Sequence, residues 1–165
     1  MKITVKGGRE AEAALRSIGN QVTARRIGRK AIEPTANIIA AKAASLAPDD
    51  PATGAGKFLS ASIKSGPAKS RDKDQVWMRV GIDGDVDPPK QVQRKNGKGS
   101  YRDPGVAGVA VIMEFGAPGA NISPRPFMGP AFESEKEAAA QRITDAVFTE
   151  ATKAAERAAR KRAKA

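Results

Sequence analysis

The stretch from Ala131 to about Lys161 is rich in Ala, Glu, Lys and Arg and predicts one long amphipathic helix. Phe132, Ala139, Ile143, Val147 and Ala154 fall near one face of it. That stripe is thin. Alanine buries little area and the larger side chains stop at Phe148, so the second half of the helix contributes little burial energy. A chain built around such a helix must fray, project, or complete its burial on a neighbouring molecule. Pro130 suits the first helical turn, where its missing N–H would have no intrahelical acceptor.

The rest of the chain is cut into short elements by Gly and Pro. Ile3 and Val5 alternate with Lys2, Thr4 and Lys6, the pattern of a short strand ended by Gly7-Gly8. From Arg9 the chain turns Ala-rich and helical, with Leu15, Ile18, Val22 and Ile27 near helical spacing until Gly28 weakens it. A second helical stretch, about 29–47, places Ile32, Ile39, Ala43 and Leu46 on one face, with Ile38 widening the stripe. Pro34 inside it predicts a kink or a fresh start, and Pro48 to Pro51 stops it. Phe58, Leu59 and Ile63 follow as an apolar group of undefined type.

Val76, Met78, Val80 and Ile82 alternate with Gln75, Trp77, Arg79 and Gly81, which predicts a half-buried strand over 75–82. Val106 to Phe115 is apolar enough to predict a second strand buried on both faces, pairing antiparallel with the first. The 83–105 connection between them is long, charged and rich in Gly and Pro, and reads as an extended, flexible hairpin or loop. Residues 116–129 hold Pro118, Pro124 and Pro126 and predict an irregular, stiff segment. The expected fold class is α+β: a small antiparallel β-sheet packed by N-terminal helices and a long C-terminal helix, all in a single domain over 1–165.

The sequence lacks both Cys and His, which removes disulfides, thiolate nucleophiles, imidazole bases and the usual zinc ligands. Thr53-Gly54-Ala55-Gly56-Lys57 resembles a phosphate-binding loop, but Pro51 stands at its first glycine and Phe58 where magnesium would need a hydroxyl. Asp83-Gly84-Asp85-Val86-Asp87 alternates carboxylates like a calcium loop, yet Pro88 and Arg94 occupy the positions that need Gly and Glu. A solvated acidic turn is the simpler reading. Glu114, between Met113 and Phe115, is a lone acid that fits an ion pair, for instance to an Arg of a neighbouring subunit, better than catalysis. The inventory predicts no enzyme, no metal and no cofactor. No apolar run reaches the length of a membrane span and the N-terminus lacks a signal-peptide core, so a cytoplasmic, membrane-free origin is expected.

The formal charge of +11 leads to a polyanionic or simply large partner. Counted along the chain it is spread, at +4 over 1–50, +5 over 51–105 and +2 over 106–165. Its one concentrated run lies in the basic end at about 157–165, with Arg157, Arg160, Lys161 and Arg162. Those side chains suit phosphates, and equally suit the last turns of a solvated helix. With one Trp, one Tyr and five Phe there is no stacking platform for single-stranded nucleic acid.

Three features occur in a telling order. Ala47-Pro48-Asp49-Asp50-Pro51-Ala52-Thr53-Gly54, continuing to Leu59 and Ser62-Ile63, comes first; Met113-Glu114-Phe115-Gly116 second; Pro124-Arg125-Pro126-Phe127-Met128-Gly129-Pro130-Ala131-Phe132 third, opening the final helix. This order resembles the tail-completion (neck, minor tail) proteins of long-tailed double-stranded-DNA phages, over nearly the whole chain. The resemblance departs at Gly56-Lys57-Phe58, which lengthens the spacing to Leu59, and in the long 83–105 loop. It implies a non-catalytic structural virion protein, assembled in the bacterial host cytoplasm into a homo-oligomeric, six-fold ring at the head-proximal end of the tail. Implied partners are other copies of itself, a tail terminator or tube protein and a head connector, with passage of or weak contact with double-stranded DNA.

Candidate interface residues under this resemblance are Glu114, Phe127, Met128, Phe132, Arg157, Arg160, Lys161 and Arg162. The three apolar ones follow prolines that pre-order the chain for a partner. Staple contacts at helix starts favour instead a place in the core. The alternative function is a small basic protein binding double-stranded DNA.

Overall fold

A computed structural model of the chain describes residues 21–48, 55–70, 72, 75–83, 90–93, 100–103 and 105–162. The expected strand at Ile3–Val5, the first part of the Arg9–Ile27 helix and most of the acidic turn at 83–87 lie outside them. The elements run α1 (Gln21–Leu46), α2 (Ala55–Ser62), β1 (Ile63–Ala68), β2 (Trp77–Ile82), β3 (Lys90–Gln93), β4 (Ser100–Asp103), α3 (Gly105–Phe115), a 3-10 turn (Pro118–Ala120) and α4 (Met128–Arg162). The fold is α+β: among the described residues, four helices with short, two-stranded ladders. β1 and β2 are hydrogen-bonded neighbours, and the Asp83 N–H donates to the Ser62 carbonyl at 2.8 Å, so the end of β2 lies against the start of β1 and the strands run in opposite directions. β3 pairs antiparallel with β4, from Lys90 opposite Asp103 to Gln93 opposite Ser100, inside the segment read as an extended hairpin or loop.

One expectation is overturned here. Residues 106–115 are helical, and the partner of the 75–82 strand is β1. The valines of α3 favour a strand by propensity, but Val106, Ala110 and Met113 recur at helical spacing and turn one side to the core. Gly105 and Gly116, both at positive φ, bound the helix at either end. β2 itself follows its alternation: Trp77 and Arg79 are exposed while Met78, Val80 and Ile82 are half-buried.

α1 runs unbroken through Gly28 and Pro34. Its buried stripe is Ile27, Ala31, Thr35, Ala36, Ala40 and Ala43, continued by Ala47. The expected stripe lay partly to one side of this, and Ile38 and Leu46 are exposed. Small side chains form the seam because they let a neighbouring element approach closely; larger ones flank it.

The described residues form two compact units. One contains the described chain up to Ile38, Ser65–Arg79 and the chain from Glu135 onward; the other contains Ile39–Lys64 and Val80–Ser134. In the first unit Ile27, Ala31, Thr35, Ala36, Ala139 and Ala151 are buried, and Lys30 pairs with Glu150 at 2.8 Å. Gly28 faces Val76, whose Cγ2 would lie 3.2 Å from an added Cβ. The second unit holds the main apolar cluster: Ala40, Ala43 and Ala47 of the α1 region, Leu59 and Ile63, Val106 and Ala110 of α3, and Phe127 and Ala131 at the start of α4. Val80, Ile82, Met113 and Met128 pack against it.

Phe127 and Leu59 are the largest fully buried apolar side chains among the described residues, so the cluster depends on two bulky groups set among alanines. Leu59→Ala is therefore expected to cost about 2–5 kcal/mol, the range for emptying a fully buried leucine site. Urea denaturation followed by circular dichroism measures this; a loss below about 1 kcal/mol would contradict the packing described.

Candidate functional site

The start of α4 is where two of the three sequence motifs meet. Every α-helix opens with backbone N–H groups that lack an intrahelical acceptor. In α4 these belong to Phe127, Met128, Gly129 and residue 130. Glu114, on the last turn of α3, accepts the first three: Oε2 from the N–H groups of Phe127 at 2.8 Å and Met128 at 2.9 Å, and Oε1 from that of Gly129 at 2.8 Å. The fourth residue is Pro130, which has no N–H to satisfy. Ala131 then makes the first regular bond of the helix, its N–H donating to the Phe127 carbonyl at 3.2 Å. All four positions are accounted for, three by one charged side chain from another helix.

The loop between the helices holds this arrangement. The Gly116 N–H donates to the Ile112 carbonyl at 2.7 Å and the Arg125 N–H to the Met113 carbonyl at 2.6 Å, so the end of α3 is capped by the chain that returns to α4. Gly116 has φ 76°, and a Cβ there would sit 2.9 Å from the Ile122 carbonyl oxygen and 3.0 Å from Pro124 Cδ. Only glycine fits both the conformation and the space. Ala117 and Ile122 bridge across the 3-10 turn, with Asn121 in the left-handed region at φ 53°. At Gly129 an added Cβ would lie 3.1 Å from Glu114 Oε1, so the absence of a side chain lets the carboxylate reach the backbone.

Burial of the Glu114 carboxyl acts to raise its pKa, and the three N–H donors of Phe127, Met128 and Gly129 together overcome that and hold it below the ordinary glutamate value. A negative charge at a helix N-terminus is also favoured by the peptide dipoles.

The candidate residues separate by location. Glu114 directs both oxygens to backbone N–H groups of its own chain, a capping role that the ion-pair reading did not include. Phe127 is fully buried and Met128 packs against the core, so Phe127 is a core residue and not an exposed anchor. Phe132 is 54 % exposed, on the outer side of the first turns of α4. Phe115, which sequence reasoning did not single out, is 74 % exposed, and Val111 one turn earlier on the same side of α3 is exposed too. The signal for that pair was their spacing of four, legible only once 105–115 is known to be a helix. Arg157 and Arg160 are exposed on α4; Lys161 and Arg162 lie in its last turn, their side chains outside the described residues.

Among the described residues no cluster of carboxylates is arranged to hold a metal ion, and no helix is long and apolar enough to cross a membrane. Comparison with family models, with curated proteins and with solved structures gives no match. The chain's chemistry therefore rests on its own geometry.

Glu114→Gln removes the charge and turns an amide donor toward backbone donors, with an expected cost on the order of 2–3 kcal/mol. The folded-state pKa lies below the unfolded one, so the cap's contribution is complete above the ordinary glutamate range and is lost as pH falls through the folded value. Stability of the parent chain should accordingly fall more steeply on acidification than that of the Gln variant. Denaturation midpoints from neutral to acidic pH test both statements, and parallel curves would show that Glu114 is not the titrating cap.

Proposed function

We propose that this chain is a structural virion assembly protein at the head-proximal end of a phage tail, forming or joining a ring that completes the tail and connects it to the capsid. The observation that carries the reading is the ordered set of three motifs. The Glu114 junction supports it further. Met113-Glu114-Phe115-Gly116 and Pro124-Arg125-Pro126-Phe127-Met128-Gly129-Pro130 are the two halves of one structural device, which gives a physical reason for both to occur in one chain, in that order.

The function this supports is mechanical. The Glu114 carboxylate is occupied in capping a helix, and the groups left facing solvent in this unit include Phe115, Val111 and Phe132. Apolar side chains of that size at a surface suit contact with other protein subunits. Subunits that stay monomeric until they meet the tail tip would bury them on assembly.

Electron microscopy of particles made without this protein should show filled heads unattached to tails, or tails with defective upper ends; normal infectious virions would overturn the proposal. Complementation with a Phe115→Ser, Phe132→Ser double variant should leave the isolated chain folded, with a stability change within about 1 kcal/mol because both side chains are exposed, yet give the same unjoined particles. Full complementation by that variant would place the contact surface elsewhere.

A further inference from the structure

We infer that the basic face surrounding the Lys30–Glu150 ion pair is a docking surface for the phosphate backbone of double-stranded DNA. Counting charge along the chain conceals this face, because α4 is segregated: Glu133, Glu135 and Glu137 occupy its first turns, and beyond Glu150 only Glu156 interrupts the cations. At 100° per residue Lys153, Arg157 and Arg160 follow Glu150 within an arc of about 80° on one side of the helix. From α1, Lys30 reaches Glu150 Oε2 at 2.8 Å, Arg26 stands one turn earlier on the same side and Arg29 beside it. The ion pair thus brings the cations of 26–30 and those that follow Glu150 on α4 together within a single unit.

Neutralisation of this surface is incomplete. Glu150 is shared by Lys30 and by Lys153 at 3.3 Å, and it is the more buried partner, with 18 % of its side chain exposed against 66 % and 54 % for the lysines. The Lys30 hydrogen bond first, and the proximity of Lys153 with it, holds the Glu150 carboxyl below its ordinary pKa, so it remains a fixed acceptor between two exposed cations. Among the described residues of these two stretches, six cations stand against Glu33, Glu150 and Glu156. Stabilisation of a helix end by its dipole accounts for cations in the last turn of α4. It does not account for Arg26, Arg29 and Lys30 on another helix, nor for Lys153 more than two turns from the end.

The occupant follows from the chemistry of the face. From Lys153 to Arg160 the cations span about 10 Å at 1.5 Å per residue, a length that meets several phosphates of a duplex carrying a charge every ~1.7 Å of axis. An anionic lipid surface would call for apolar side chains to insert beside the charges. Phe148, the last large apolar residue of α4, lies on the opposite side of the helix from Glu150. Single-stranded nucleic acid would call for aromatic platforms, which this face lacks among its described residues. A rigid, closely spaced row of phosphates needs neither. This inference is independent of the virion reading, since it concerns a partner that any basic two-helix surface of this kind would select.

The test is fluorescence anisotropy of a labelled duplex of about 30 base pairs and arbitrary sequence, titrated with the full chain between about 50 and 200 mM salt. The plot of log affinity against log salt should lose about 2 units of slope in the Arg157→Gln, Arg160→Gln variant and about 1 in Arg26→Gln, at about 0.9 per phosphate contact. Lys64→Gln and Lys69→Gln, cations outside the face, should leave it unchanged. Circular dichroism identifies any variant that has lost helix, in which case Arg→Lys at the same positions should restore binding. Equal losses from every cation removed, tighter binding to single strands of the same length, binding only to phosphatidylserine vesicles, or no duplex binding at all would each overturn the inference. Particle morphology, the readout of the assembly proposal, is unaffected by any of these outcomes.

Discussion

Backbone N–H groups at the head of a helix must find acceptors, and in α4 three of them find the same carboxylate. Glu114 comes from the last turn of α3, so satisfying the start of one helix fixes the end of another. Much of the second unit follows from that constraint. Gly116 turns the chain back with positive φ, the Ala117–Ile122 bridge closes the loop, and at Gly129 the missing side chain leaves the carboxylate room that a Cβ at 3.1 Å would crowd. Phe127, held by its own N–H at the centre of the junction, is thereby delivered into the core with no exposed surface. A local rule about unpaired donors has become the organiser of tertiary structure.

The remaining stability comes from an unusual inventory. Most of the buried apolar residues are alanines, and the described core leans on Leu59 and Phe127 for bulk. Alanine costs no side-chain entropy on burial and favours helix, which suits a chain whose length is invested in α1 and α4. Its small area limits what each contact contributes, and several large apolar side chains stay at the surface.

The sequence made some of this legible and concealed the rest, for identifiable reasons. The long helix, the β2 alternation and the α+β class followed from periodicity and breakers, signals that act within one segment. The 106–115 segment misled because its valines speak for a strand while its spacing of Val106, Ala110 and Met113 speaks for a helix, and a run apolar at nearly every position displays both. The role of Glu114 was hidden for a different reason: its partners are backbone groups thirteen to fifteen residues away, which no side-chain pattern announces. The alanine seam of α1 was likewise masked by Ile38 and Leu46, whose hydrophobicity draws attention to a side that faces water. The basic face was invisible to any count made along the chain because an ion pair between residues 120 positions apart assembles it.

Pro130 gives α4 a fixed zero. With no N–H to donate and a ring that obstructs the preceding turn, it prevents the helix from growing backward past the cap, so the register of the opening turns is counted from Glu114. A residue inserted between Pro130 and Ala131 would leave the cap intact yet turn Ala131 by about 100° out of the cluster it now fills. The stop that starts the helix therefore also sets which of its sides is buried.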